Sequence, residues 1–493
     1  MQRLEKVATI RPVASREVAN SKIGLGFEKL DRDIFDPSVA YAYVAESGVK
    51  RVRIQSGWAR TEKERGVYDF AWLDSIVDNL LAAGCLPWIC LCYGNGLYDA
   101  NAARIFGATG CPPINTDEQR DAWRRYVVAV VSRYRGRVDL FEIWNEPDGG
   151  TWKRFAPDGE QIRVFGTEGT GREYGDFANA TMDAIREGNP EARTLVGSMC
   201  TASLPWLTGV AASGCLSRAW GFTYHCYCVD EAENAEHIRM IRAFLTRHNP
   251  EIRLVQGESG SQSSPDGRGA LWGMAWTEER QARQLLRHMV SDLLGDVAFT
   301  SYFSCMDMAE ALVGRVGDAS SYRDYGYFGV LSAEFDANGR ATRVKRPKMS
   351  YTALRSLASL FNGMPERREA AVRVEPEDCQ LLGRRTASAR ELTFGEFVRP
   401  GGAQAFVYWK PCDLLTETRD EVATLVFAAS PDQPPLLADP LDGSVYRLPE
   451  DSCTRLGDGC WRLRNLPLRD YPLFLLWGDF AALDPLPPAS QPL

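Results

Sequence analysis

"FAWLDSIVDNLLAAGCLPWICLCYGNG", residues 70–96, carries a helix and then a strand in one run. Leu73, Ile76, Val77, Leu80 and Leu81 recur at helical spacing, and Gly84 supplies the stop. Residues 86–96 read as the strand that follows. "KRVRIQSGW" (50–58) is the strand before it, and "IGLGFEK" (23–29) the first of the series. Downstream, Thr116 caps a helix with Gln119 three residues on, and Trp123, Tyr126, Val127, Val130, Val131 and Tyr134 share one face of it. The strand 138–144 runs into "DLFEIWNEPDGG" (139–150). "TLVGSMC" (194–200), "WGFTYHCY" (220–227), "IRLVQGES" (252–259) and "VAFTSYFS" (297–304) complete eight strands, and a helix from Thr277 buries Ala282, Leu285, Leu286, Met289, Val290 and Leu293.

Strands alternating with helices predict an α/β protein with a parallel sheet, and eight units over residues 20–362 fit a closed (β/α)8 barrel. The rival, a doubly wound open sheet, normally places a glycine-rich phosphate loop early, and this sequence has none. After the helix "KMSYTALRSLASLF" (348–361) the pattern shortens to "AQAFVYWK", "EVATLVFAA", "SVYRL" and "YPLFLLWG". Residues 363–482 are expected to form an antiparallel β-sandwich, joined by a strand from 1–19 ("KVATIRPV"). The Pro-rich tail 483–493 is expected to be extended or disordered.

The 493 residues are 45% hydrophobic and 25% charged, with a net charge of −8. No basic excess is present to neutralise phosphates, so a nucleic-acid partner is not expected. The N-terminus lacks an apolar core of signal-peptide length, and no apolar run reaches the 18 or so residues of a membrane span. A soluble, cytoplasmic protein without a membrane partner is the expectation; the oligomeric state is not readable. Thirteen cysteines is an odd number, and reduced, mostly buried thiols are expected. Cys90/Cys92 and Cys226/Cys228 are C-x-C pairs. With four histidines and no C-x-x-C, neither a metal nor another cofactor is expected.

A barrel of this kind carries its chemistry at the C-terminal strand ends. In order these are Arg53 and Gln55; Tyr93, Gly94 and Asn95; Trp144, Asn145 and Glu146; His225 and Tyr227; Glu258; and Tyr302, Ser304 and Asp307. Two carboxylates, Glu146 and Glu258, end strands four and seven. Glycoside hydrolysis needs such a pair: one acid protonates the leaving oxygen, and the other carboxylate attacks the anomeric carbon or activates water.

"FEIWNEPD" (141–148) resembles the fourth-strand signature of the clan A glycoside hydrolases, a retaining (β/α)8 group, and "VQGES" agrees with it three strands later. Within that clan the sequence is most similar to family 39-type β-xylosidases and to family 51-type enzymes, from about Gly24 to Phe361. The resemblance implies Glu146 as general acid/base and Glu258 as nucleophile. It implies that Asn145 hydrogen-bonds the sugar hydroxyl beside the anomeric carbon, that Tyr227 and His225 contact the nucleophile region, and that Arg53 holds the nucleophile carboxylate. Two departures stand out. The eighth strand, "TSYFSCMDM" (300–308), lacks the clan's Trp, which leaves Tyr302 or Phe303 as the sugar platform. "SGSQSSPDGRG" (259–269) does not follow the family 39 pattern.

Weighed against these are plainer readings. Glu142 shares a strand face with Trp144 and Glu146 but lies deeper, where an interior ion pair with an Arg is expected. Asp148 and Asp139 read as loop and strand-start residues. Trp58, Tyr98 and Trp152 stand in strand-end loops, where packing competes with a sugar platform. Tyr93, Asn95, Asp307 and Glu310 are candidates for hydroxyl contacts. The expected activity is hydrolysis of short β-linked oligosaccharides or glycosides, with a carbohydrate as substrate and a β-xylosidase-like preference. Other clan A glycosidases (α-L-arabinofuranosidase, β-galactosidase, β-glucosidase, endo-glycanase), a transglycosylase and a non-catalytic carbohydrate-binding barrel remain as alternatives.

Overall fold

A computed structural model describes residues 4–105, 108–149, 165, 171–310, 324–375, 380–381, 384–385, 392–415, 421–427, 433–457 and 459–487. Eight parallel strands close into a barrel: β1 (Ile23–Gly26), β2 (Arg51–Gln55), β3 (Leu86–Leu91), β4 (Leu140–Ile143), β5 (Arg193–Met199), β6 (Gly221–His225), β7 (Arg253–Ser259) and β8 (Thr300–Tyr302). Each is followed by a helix: α1 (Tyr41–Glu46), α2 (Ala71–Ala82), α3 (Asp117–Arg133), α4 (Arg172–Gly188), α5 (Leu204–Ala212), α6 (Glu231–His248), α7 (Glu278–Leu294) and α8 (Met349–Leu360).

The helix signals act as read. Thr116 Oγ1 accepts from the Gln119 amide at 3.2 Å, and Thr277 Oγ1 from the Arg280 amide at 3.2 Å, so each satisfies an orphan donor at its helix start. α2 buries Leu73, Ile76, Val77 and Leu80 against the barrel, at about 1.5–3 kcal/mol per large apolar side chain. The lower lumen is filled by Trp88, Leu140, Leu195, Val255 and Phe299, contributed by several strands. This plug directs polar side chains to the upper end.

Among the described residues the remaining strands form two short hairpin-like pairs, Met308–Ala309 with Tyr325–Gly326 and Leu331–Phe335 with Ala341–Pro347, and two larger antiparallel sheets. The larger runs in the order Glu366–Arg368, Thr393–Val398, Gln404–Trp409, Leu473–Trp477, Leu436–Asp439, Ser444–Arg447, Glu5–Ile10, Leu483–Pro485. The smaller is centred on Glu421–Phe427 and Trp461–Leu468. Phe427 packs on Phe406 and Trp477 of the larger sheet, with ring centroids 4.7 and 5.4 Å apart, which makes the pair a sandwich. Part of the segment expected to be an extended tail is a strand: Leu483–Pro485 pairs with Glu5–Ile10. A Pro is tolerated there because the strand is the sheet's edge, where no ladder partner needs its missing N–H. The sandwich is tied to the barrel through Glu231 of α6, which accepts from Trp409 Nε1 at 2.6 Å and from Arg287 Nε at 2.6 Å.

Among the described residues no helix is long and apolar enough to cross a membrane. Their cysteines are free thiols, most of them buried.

Candidate active site

The upper lumen is organised around one guanidinium. Arg53, at the end of β2, is fully buried. Its Nε donates to Glu142 Oε2 at 2.7 Å, its Nη1 to Glu258 Oε2 at 2.7 Å, and its Nη2 to Asn145 Oδ1 at 2.9 Å. One side chain thus cross-links β2, β4 and β7. Burial alone would strip its charge, but the carboxylates around it, Glu142 foremost, raise its pKa well above the ordinary value.

Glu142 is the interior ion-pair partner. Its second oxygen accepts from Thr223 Oγ1 at 2.8 Å, and Trp88 Nε1 stands 3.3 Å from the first. Burial favours the neutral acid, yet Arg53, then His225 and the Thr223 hydroxyl, bring its pKa below the usual value.

Glu258 is held from two sides. Besides Arg53, the Tyr227 hydroxyl donates to Oε1 at 2.6 Å. Burial and then the Glu258 charge push the Tyr227 phenol far above its ordinary pKa, so it acts as a donor. His225 bridges the two strand-end acids: its Nδ1 lies 3.3 Å from Glu146 Oε1 and 3.7 Å from Glu258 Oε2. The other ring nitrogen is 3.2 Å from Ser198 Oγ. One oxygen of Glu146, one of Glu258 and a nitrogen of His225 all lie within 4.8 Å of one another. Both carboxylates keep a solvent face, with side-chain exposures of 14% and 12%.

The backbone that presents Glu146 is unusual. Trp144 and Glu146 have φ of +68° and +50°, a region costly for bulky L-residues. Trp144 is kept there by edge-on packing with Tyr93, Trp123, Phe165 and Phe177. The Glu146 amide donates to the Ser198 carbonyl at 3.0 Å.

Arg53, Asn145, Glu146, His225, Tyr227 and Glu258 are therefore one connected group. The other sequence candidates stand apart from it. Tyr93 receives the Gln55 amide at 3.0 Å, lies under Arg32 and lines a cavity of about 470 Å³ with Asp31, Arg32, Trp58, Arg60 and Lys63. Trp58 is buried, donates to Glu62 at 2.5 Å, and has Tyr98 and Tyr126 stacked on it, so most of its surface is taken up in packing. Asn95 is spent on loop geometry, donating to the Glu62 carbonyl and accepting from the Leu97 amide, each at 2.9 Å. Tyr302 is buried with its hydroxyl against the Ser261 amide, so it presents no face to a ligand; Phe303 beside it packs on Tyr227 and Phe328. Asp307 is sealed in an ion pair with Lys348 at 2.6 Å, and Glu310 pairs with Lys29 at 2.8 Å. Asp148 braces the loop after β5, accepting from the Cys200 and Thr201 amides. Trp152 lies outside the described residues.

Two members of the site were not read from the sequence. Ser198 sits in "TLVGSMC" like any strand residue. Glu28 follows β1, and its carboxyl is buried 3.5 Å from Arg53 without a hydrogen bond. It folds back over Gly26, where an added Cβ would meet Oε2 at 2.1 Å. Burial, reinforced by Glu258 and only partly opposed by Arg53, raises it to about 8. A carboxylate just past the first strand was the available signal.

Comparison with known proteins now bears on this geometry. A glycoside hydrolase 42 family profile, described as beta-galactosidase, matches residues 27–103. A beta-xylosidase from Geobacillus stearothermophilus is 23% identical over 203 residues, 39% of this chain and 37% of that one. The chain resembles the clan A glycoside hydrolases of the family 39 type. Among solved structures, a family 39 glycoside hydrolase from Bacteroides cellulosilyticus WH2 aligns with a TM-score of 0.62 at 16% identity, over 93% of this chain and 81% of that one. A monomeric beta-xylosidase from Caulobacter crescentus CB15 gives 0.58 at 18% identity, over 98% of each chain. These alignments establish a shared fold. The curated relative is matched over little more than a third of its length.

Proposed function

We propose that this protein is a retaining glycosidase that cleaves β-linked glycosides by double displacement, with Glu258 as nucleophile and Glu146 as general acid/base. The observation that carries the reading is the closeness of the two acids, with one oxygen of each within 4.8 Å. A retaining pair stands about 5–5.5 Å apart, whereas an inverting pair needs about 6.5–9.5 Å to admit water.

In the first step Glu258 attacks the anomeric carbon while Glu146 protonates the departing oxygen. Arg53 and Tyr227 aim the attacking carboxylate. Arg53 stays paired with Glu142 when Glu258 becomes an ester, so its charge is not stranded. In the second step Glu146 takes a proton from water, which attacks the same carbon. Asn145, whose Oδ1 accepts from Arg53 Nη2, would meet the neighbouring sugar hydroxyl through its amide nitrogen.

A β-xylosidase-like substrate is the first choice, because the curated relative and one of the similar structures are beta-xylosidases. The β-galactosidase profile makes galactosides the second. Aryl β-xylosides, β-galactosides, β-glucosides and α-L-arabinofuranosides should be assayed with wild type, Glu258→Ala and Glu146→Gln. Loss of about 10³-fold or more in kcat for Glu258→Ala is expected. The first-formed sugar, followed by NMR, is expected to keep the substrate's anomeric configuration. Inverted product, or a Glu258→Ala variant as active as wild type, rules the reading out.

A further inference from the structure

Tyr227, the phenol that holds Glu258, is flanked by two thiols in the run His225-Cys226-Tyr227-Cys228. Each thiol touches its own imidazole on a neighbouring helix. Cys226 Sγ lies 3.4 Å from Nδ1 of His237 on α6, and Cys228 Sγ lies 3.7 Å from Nδ1 of His288 on α7. One residue separates the two thiols along the chain. Three of the chain's four histidines therefore meet this one strand end. Cys226 is set against His237 and Cys228 against His288, which suits a dithiol flanked by bases. Around His288, Asp292 stands 4.0 Å from Nε2 and the Gln256 amide oxygen can accept from that nitrogen at 3.2 Å, so Nε2 faces groups that favour the imidazolium, while Nδ1 faces the Cys228 sulfur and, at 3.4 Å, the Gln284 amide nitrogen.

We propose that Cys226 and Cys228 form a peroxide-reactive dithiol whose oxidation to a disulfide withdraws Tyr227 from Glu258 and lowers activity reversibly. Cys228 is the attacking sulfur. Hydrogen bonding from Cys226, and then His288, bring its pKa down to about 6 in spite of burial. Burial lowers His288, but Asp292 and Cys228 outweigh it and raise it to about 9.

The Cys228 thiolate attacks a hydroperoxide oxygen. An S–O bond forms, the O–O bond breaks, and the expelled oxyanion takes the His288 proton, leaving a sulfenic acid and water or an alcohol. Cys226 sulfur then attacks the sulfenic sulfur. The S–S bond forms, the S–O bond breaks, and hydroxide leaves as water with the Cys226 proton. Two electrons pass from the two thiols to the peroxide. Both sulfurs are buried, so the oxidant must be small. A disulfide needs its sulfurs about 2.05 Å apart. Closing that gap across a single intervening residue must reorient the Tyr227 backbone.

The test uses the full chain and hydrogen peroxide. Peptide mass mapping after alkylation should show a dithiothreitol-reversible Cys226–Cys228 disulfide before other cysteines react. In C226S the reaction should stop at a sulfenic acid that dimedone traps on Cys228. Both results are independent of the glycosidase reading. Given that reading, wild-type hydrolysis should fall about tenfold or more and recover with dithiothreitol, the scale of one lost charge-assisted hydrogen bond. C226S and C228S should keep basal activity and resist peroxide. Oxidation of other cysteines while 226 and 228 stay reduced overturns the proposal. So does peroxide inactivation of both variants at the wild-type rate.

Discussion

Glu142 on β4 and Glu28 after β1 are both buried, and both face Arg53. They ionise oppositely. Glu142 receives Arg53 Nε at 2.7 Å and Thr223 at 2.8 Å, and its pKa drops. Glu28 is 3.5 Å from the guanidinium with no hydrogen bond to either oxygen, and it rises to about 8. Burial is common to the two, so hydrogen-bond donors decide the charge. Arg53 Nη1, the nitrogen nearest Glu28, donates instead to Glu258, and the Glu258 charge adds to burial in raising Glu28.

The largest expected effect comes from removing the paired member. Glu142→Gln leaves Arg53 short of a buried counter-charge and should cost about 3–5 kcal/mol in chemical denaturation. A cost under about 1 kcal/mol would erase the contrast between the two acids.

Glu28→Gln should act through pH. The native chain holds a Glu28 proton that the unfolded chain releases above its ordinary value of 4.5. The stability from that proton is complete below about 4.5 and falls as pH rises towards 8. Relative to wild type, Glu28→Gln should gain Tm progressively over that window, by the equivalent of a few kcal/mol at most. Glu142 has the opposite sign: its contribution is present above 4.5 and fades as pH falls through its lowered value. A Tm difference for Glu28→Gln that does not change with pH would show Glu28 to be ionised throughout.

Gly26→Ala tests the seat of Glu28 sterically. Its Cβ would enter the carboxyl at 2.1 Å, with an overpacking cost of about 1–3 kcal/mol. Combining it with Glu28→Ala should recover part of that cost, and strict additivity would deny the contact. Tyr227→Phe is the smallest structural change. It should lower kcat/KM about tenfold or more while leaving Tm within a few degrees.

Much of the molecule was legible before the fold. Helix faces and caps follow periodicity and local hydrogen bonding, so the barrel's helices and strands could be read in order. Arg53, Asn145, Glu146, His225, Tyr227 and Glu258 all mark strand ends and all meet. The aromatic and loop candidates were harder, because a strand-end position says nothing of the direction in which a side chain is consumed. Trp58 went to stacking with Tyr98 and Tyr126, Asn95 to its own loop, and Asp307 to Lys348. The edge strand Leu483–Pro485 was hidden by its proline and the Pro-rich run after it, since its partner lies at the other terminus.

By itself the sequence determined the alternation of strands and helices, and with it the placing of two glutamates at the ends of β4 and β7. Those are properties of short windows, set by side-chain period and capping. Only the tertiary structure decided that one arginine serves Glu142, Asn145 and Glu258 together and leaves both Glu28 oxygens without a hydrogen bond. These residues are far apart along the chain. Their distances depend on how the closed barrel tilts and staggers its strands, and an ångström in that closure separates a hydrogen bond from a bare contact.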